Sequence, residues 1–65
     1  MYKAITERFS NINQSEVARK VGIATETMNR IINSKQNCSK MTAYCIAKAI
    51  NEKAEIEDYF IRNEE

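Results

Sequence analysis

Residues Asn13 to Ser34 read NQSEVARKVGIATETMNRIINS, and this stretch decides the fold. Apolar residues recur at helical spacing on both sides of Gly22, the single glycine of a 65-residue chain that has no proline. The pattern predicts one helix from about Gln14 to Val21 and a second from about Thr25 to Asn33. A lone glycine between two periodic segments marks a residue that needs a positive φ, or a close approach of two backbones. Asn13 is a good N-cap, and Glu16 stands at the N3 place of a capping box that is imperfect because Asn replaces Ser or Thr. Val17, Ala18 and Val21 form the inward stripe of the first helix, with Arg19 and Lys20 facing out. The small Ala18 lets the two helices cross closely, and Ile23 plugs the core from the turn.

In the second helix Met28, Ile31 and Ile32 point inward. Thr25, Glu26, Thr27, Asn29, Arg30 and Asn33 remain outside. A solvated helix face is usually rich in Lys and Glu in i,i+4 pairs. Thr and Asn are poor helix formers, so their use on an exposed face implies another task. Asn can pair bidentately with adenine, Arg with guanine, Glu can accept from cytosine N4, and a Thr methyl can meet a thymine methyl. Helix, short turn, helix is also the unit that can lay its second helix in the major groove of DNA.

Working outward, Tyr2, Ile5 and Phe9 recur at helical spacing and predict an amphipathic helix over about 2–10, broken by Ser10-Asn11-Ile12-Asn13. Lys35 to Ser39 is a polar loop, and Ser39 caps a helix over about 40–51. Its inward stripe is Ala43, Ile46, Ala47 and Ile50, with Tyr44 partly buried. Asn51 to Ala54 connects to a short last helix with Ile56, Tyr59 and Phe60 on one side. Glu55, Glu57 and Asp58 in its first turn favour the dipole. Residues from about 61 to 65 form a frayed acidic tail. The sum is five helices and no strand, since no run of four or more β-branched residues alternates. The expectation is one all-α domain over residues 1–65.

The net charge is +1, but it is unevenly spread. Residues 1–48 hold eight Lys and Arg against three acids, a net +5. Residues 49–65 hold two bases against six acids, a net −4. A basic body with an acidic tail points to a polyanionic partner for the body. No apolar run is long enough for a membrane span, and the N-terminus lacks a signal-peptide layout, so a cytoplasmic location is expected. Cys38 and Cys45 are the only cysteines. Seven residues apart on one helix, they stand about 10 Å apart, too far for a disulfide. Two thiols without a histidine do not complete a structural zinc site, so no metal or other cofactor is expected. Neither a glycine-rich phosphate loop nor a nucleophile clustered with a base is present, so no enzyme is expected.

The segment from Gln14 to Lys35 resembles the helix-turn-helix of the Cro and phage-repressor family. The match runs through the Gln that opens the helix, Val17-Ala18, Val21-Gly22-Ile23, Thr27-Met28, Arg30-Ile31, Asn33 and Lys35. Ala47-Lys48-Ala49-Ile50 and Ile56-Glu57-Asp58-Tyr59-Phe60 are similar to that family's last two helices. The resemblance implies a five-helix, lambda-repressor-like domain that binds double-stranded operator DNA, usually as a two-fold homodimer. It also implies a small regulator of a phage genetic switch, working in a bacterial host cell. By position, Thr25, Glu26, Thr27, Asn29 and Arg30 would face base edges. Gln14 would reach a phosphate and buttress the start of the recognition helix, while Asn33, Lys35 and the backbone near Asn37 would clamp phosphates. Two departures from the family pattern stand out. Ala24 replaces a capping Ser or Thr, which makes Thr25 the alternative cap, and Ser34 stands where glycine is common. Apolar Ile56, Tyr59 and Phe60 near the terminus, with the neighbouring end of the preceding helix, are the expected homodimer contact, the alternative being that they simply complete the core. With the surrounding acids they are also the expected surface for a second reading, a module that binds and modulates a partner repressor.

Overall fold

The computed structural model describes residues 1–63. The helix-turn-helix stands where the periodicity places it. Helix α1 spans Gln14–Val21 and helix α2 spans Thr25–Ile32. Asn13 Oδ1 accepts the Glu16 backbone N–H at 3.1 Å, which satisfies one open donor of the first turn. Gly22 adopts φ 89°, and both its N–H and that of Ile23 donate to the Ala18 carbonyl, at 2.8 and 3.0 Å. A Cβ at Gly22 would meet nothing within 4 Å, so the left-handed backbone alone calls for glycine there. Helix α3 spans Lys40–Ile50, and Ser39 Oγ accepts the Thr42 N–H at 3.2 Å as its cap. Helix α4, Ile56–Tyr59, is a single turn closed by a capping box between Glu55 and Asp58.

The all-α, five-helix, lambda-repressor-like expectation is overturned. The described residues form a small mixed domain with four α-helices and a two-stranded antiparallel sheet. Strand β1 is Tyr2–Ala4 and strand β2 is Phe60–Arg62, with Tyr2 opposite Arg62, Lys3 opposite Ile61 and Ala4 opposite Phe60. The helix expected over 2–10 is therefore a strand followed by one 3-10 turn, Thr6–Phe9. Long-range backbone partners override the helical spacing of Tyr2, Ile5 and Phe9. Tyr2 exchanges both backbone bonds with Cys38, at 2.7 and 2.9 Å, while the Ile5 N–H reaches the Tyr59 carbonyl at 2.8 Å. The last helix stops at Tyr59, because Phe60 is extended at φ −136°, ψ 155°. The stretch expected to fray is instead strand up to Arg62, and the Asn63 N–H donates to the Met1 carbonyl at 2.8 Å. Glu64 and Glu65 lie outside the described residues.

Met28, Ile31, Ile46 and Phe60 are the largest fully buried side chains, interleaved with the small Ala18, Ala43 and Ala47. Phe9 joins them from the 3-10 turn, edge-on to Phe60 with ring centroids 5.7 Å apart and tilted on Tyr59 at 5.4 Å. Truncating one such side chain to Ala costs about 2–5 kcal/mol, a large share of what a domain this small holds. Tyr44, expected to be partly buried, is 49% exposed. Among the described residues no helix is long and apolar enough to cross a membrane.

The sheet positions the helix-turn-helix. Ser34 follows α2 at φ 61°, and its Oγ donates to the Ala4 carbonyl of β1 at 2.9 Å. Thr6 Oγ1 donates to the Ile32 carbonyl at 2.8 Å. The C-terminal end of α2 is thereby tied at two points to the segment that opens the chain.

Candidate nucleic-acid interface

Helix α2 divides cleanly. Met28, Ile31 and Ile32 are 0–3% exposed and hold it to the core. At about 100° per residue, Glu26, Asn29, Arg30 and Asn33 share one arc on the opposite side. All four are exposed. Thr25 and Thr27 flank that arc, Thr25 exposed and Thr27 half-buried. The five residues expected to meet base edges thus share the outer part of α2, with Thr27 furthest toward the core.

Local chemistry shapes the two ends of this face. Ala24 is the N-cap and makes no side-chain capping bond, while Thr25 is the first residue inside the helix. The alternative of Thr25 as cap is therefore corrected, and its hydroxyl lies on the outer face. The first N–H groups of α2 lack a side-chain acceptor at the cap, which leaves them to water or to an anion. At the other end the Asn33 amide folds back to donate to the Asn29 carbonyl at 3.0 Å. The Lys35 N–H donates to the Arg30 carbonyl at 2.9 Å, which ties its backbone to the last turn, and its side chain is exposed. Asn37 is half-buried in the same loop.

Helix α1 reaches the face through its first residue. The Asn29 amide donates to Gln14 Oε1 at 3.2 Å. The buttress expected at the start of α2 falls instead one turn further in. Beside it, Asn13, Ser15, Glu16, Arg19, Ile23, Ala24 and Thr25 line an open groove between the beginnings of α1 and α2. Neither the Gln14–Asn29 contact nor the Ser34–Ala4 bond was read from the residues, although the two side chains of the first were each singled out.

Of the expected contact residues Ile56, Tyr59 and Phe60, two are closed to a partner. Ile56 is 9% exposed and Phe60 1%, so both belong to the monomer core, and half-buried Tyr59 stacks on Phe9. Burial against Phe9 and the neighbouring helices leaves Ile56 and Phe60 nothing to offer another molecule. Cys38 is buried against β1 and Cys45 is half-buried, and both are free thiols. Among the described residues no group of three or more His, Cys, Asp or Glu could hold a metal ion.

No family model matches the chain, and no solved structure matches it. A curated protein of Archaeoglobus fulgidus, described as an uncharacterized HTH-type transcriptional regulator, is 44% identical over 55 residues. That alignment spans 85% of this chain and 75% of the relative. With a tight αL turn between two packed helices and a polar face on the second, the chain belongs to the HTH-type transcriptional regulators.

Proposed function

We propose that the chain binds a specific duplex DNA site by laying α2 in the major groove, and regulates transcription by occupying that site. The observation that carries the reading is the exposed arc of Glu26, Asn29, Arg30 and Asn33, steadied from α1 by Gln14. In this reading Thr25, Glu26, Thr27, Asn29 and Arg30 select bases. Gln14, Asn33, Lys35 and the backbone near Asn37 contact phosphates and set the register. No catalytic step is involved. The narrower assignment, a Cro-like regulator of a phage genetic switch, is supported by the sequence resemblance alone.

A fluorescence-anisotropy titration against DNA flanking the protein's own gene tests the reading, run at two salt concentrations with competitor DNA. Several phosphate contacts require a steep loss of affinity with salt. Site-preferring, salt-dependent binding is the expected result. Binding no tighter than to competitor DNA would favour the second reading, a module that modulates a partner repressor. That reading draws on Glu52, Glu55, Glu57 and Asp58, all of which stay exposed at the acidic end of the chain.

A further inference from the structure

Helix α3 is charged in one sense only. Its sequence, KMTAYCIAKAI, carries Lys40 and Lys48 and no acid, and the chain has no acid at all between Glu26 and Glu52. Nor are its apolar side chains all inside. Ala43, Ile46 and Ala47 are fully buried, but Met41 is 70% exposed and Tyr44 49%. At about 100° per residue, Met41, Tyr44 and Lys48 share one arc on the side away from the buried three. Lys40, Met41 and Tyr44 line a shallow apolar depression there. Lys48 bounds it one turn on, its Nζ 5.5 Å from the Tyr44 ring centroid. That ammonium donates to the Glu52 carbonyl at 3.2 Å, which leaves two of its three hydrogens for another acceptor. Exposed apolar side chains set side by side mark interaction surfaces. Met and Tyr are enriched at the centres of protein interfaces, with charge kept to the rims.

We propose that this face docks an acidic amphipathic helix of a partner protein. Charge complementarity selects the occupant. Lys40 and Lys48 stand about 12 Å apart along the helix axis, at 1.5 Å rise per residue. A partner helix with two acids at the same span meets both ammonium groups, while apolar side chains between those acids enter the depression beside Met41 and Tyr44. A second copy of the same face does not suit, because two copies meet lysine to lysine in either direction. Duplex DNA suits less well, because its phosphates take the lysines but leave Met41 and Tyr44 uncovered. The inference rests neither on the DNA reading nor on the acidic end of the chain.

An amide NMR titration of the full chain tests it. The probe is a synthetic amphipathic helix of about 18 residues, long enough to hold helical structure, with Leu on one face and Glu along its borders. The control is the same peptide with Lys for Glu. Added up to about 1 mM, the weak end of the affinity scale, the acidic peptide should shift the amides from Lys40 to Lys48. It should bind at least tenfold more tightly than the basic control. Met41→Glu, at an exposed position, should weaken binding at least tenfold. Lys40→Glu combined with Lys48→Glu should reverse the preference to the basic peptide, with circular dichroism as the check on folding in each variant. No binding of the acidic peptide overturns the proposal, as do equal binding of the two peptides, shifts centred on α2, or a charge-reversed variant that keeps the parent's preference. A non-specific duplex that shifts the α3 amides at lower concentration than the acidic peptide also overturns it, and makes the face a nucleic-acid contact. Amides of α3 that move with protein concentration alone overturn it in favour of a contact between copies.

Discussion

The Asn29 amide donates to Gln14 Oε1 at 3.2 Å, so the residue that opens α1 and the second turn of α2 meet side chain to side chain across 15 positions of sequence. Both groups are near water, and such a bond contributes about 1 kcal/mol or less to stability. Its larger effect is on orientation. One amide hydrogen of Asn29 is engaged, which fixes the plane in which its Oδ1 and second hydrogen face outward. Asn29→Ala and Arg30→Ala should each lower affinity for the specific site by about 1–3 kcal/mol, roughly 5- to 150-fold, and leave helical content intact. Gln14→Ala should lose several-fold alone and little more when added to Asn29→Ala, because the partner it orients is already gone. Anisotropy titrations of the four proteins in this cycle give the coupling. Strictly additive losses would show that Gln14 acts only through the phosphate.

Ser34 carries a left-handed backbone without being glycine, at φ 61°. That conformation costs a non-glycine residue about 1–2 kcal/mol. The hydroxyl offsets the strain by bonding the Ala4 carbonyl at 2.9 Å, with Thr6 Oγ1 a further 3.4 Å away. Ser34→Ala keeps the strain and loses the bond, and should lower stability in urea by about 1–2 kcal/mol. Ser34→Gly loses the bond but relieves the strain, so it should fall between the two. An alanine variant as stable as the parent would mean that this tie between α2 and β1 carries no energy.

The helix-turn-helix was legible because its signals are local. Asn13 and Ser39 cap the helices they precede, Gly22 marks the αL turn, and Met28, Ile31 and Ile32 repeat at helical spacing, so neighbours in sequence suffice. The sheet was not legible. Each strand has only three residues, and the two lie at opposite ends of the chain. Tyr2 and Phe60 fit helical spacing as well as they fit a strand, and only the partners at Cys38 and β1 decide between the two. The same distinction divides the site. Residue types alone picked out the outer face of α2, whereas the Gln14–Asn29 and Ser34–Ala4 contacts join side chains to partners 15 and 30 residues away. Residue type leaves Ile56 and Phe60 open between a contact surface and the core, and only the packing of α4 and the strand that draws Phe60 inward decide for the core.

Ala24 offers the first turn of α2 no acceptor, although its backbone already has the extended shape of an N-cap, at φ −66° and ψ 145°. Ala24→Ser should therefore gain a capping bond without moving the chain, adding about 1 kcal/mol. In a domain of this size that raises Tm by about 4–8 °C. Differential scanning calorimetry gives the shift. No gain would mean that the open N–H groups are already satisfied by water as well as a hydroxyl could satisfy them.

Cys38 makes stability depend on alkaline pH. Burial pushes its thiol up from 9.0 to about 11, against a smaller opposing pull from the N-terminal ammonium. The sign follows from which state gives up the proton first. Below pH 9 the thiol is neutral in both states and contributes no pH dependence. Between pH 9 and 11 the unfolded chain ionises while the folded chain keeps its proton, so the folded state is progressively disfavoured. The loss should level off only above pH 11, at about 2–3 kcal/mol. The measurement is a difference between two chains, so that every contribution they share cancels. Urea denaturation of the parent and of Cys38→Ala at pH 8, 9, 10 and 11 should show the variant, weaker at pH 8 from lost packing, losing less stability as pH rises. Parallel curves would mean that the thiol ionises as readily in the folded chain as in the unfolded one, and that the pocket against Tyr2 does not exclude the charge.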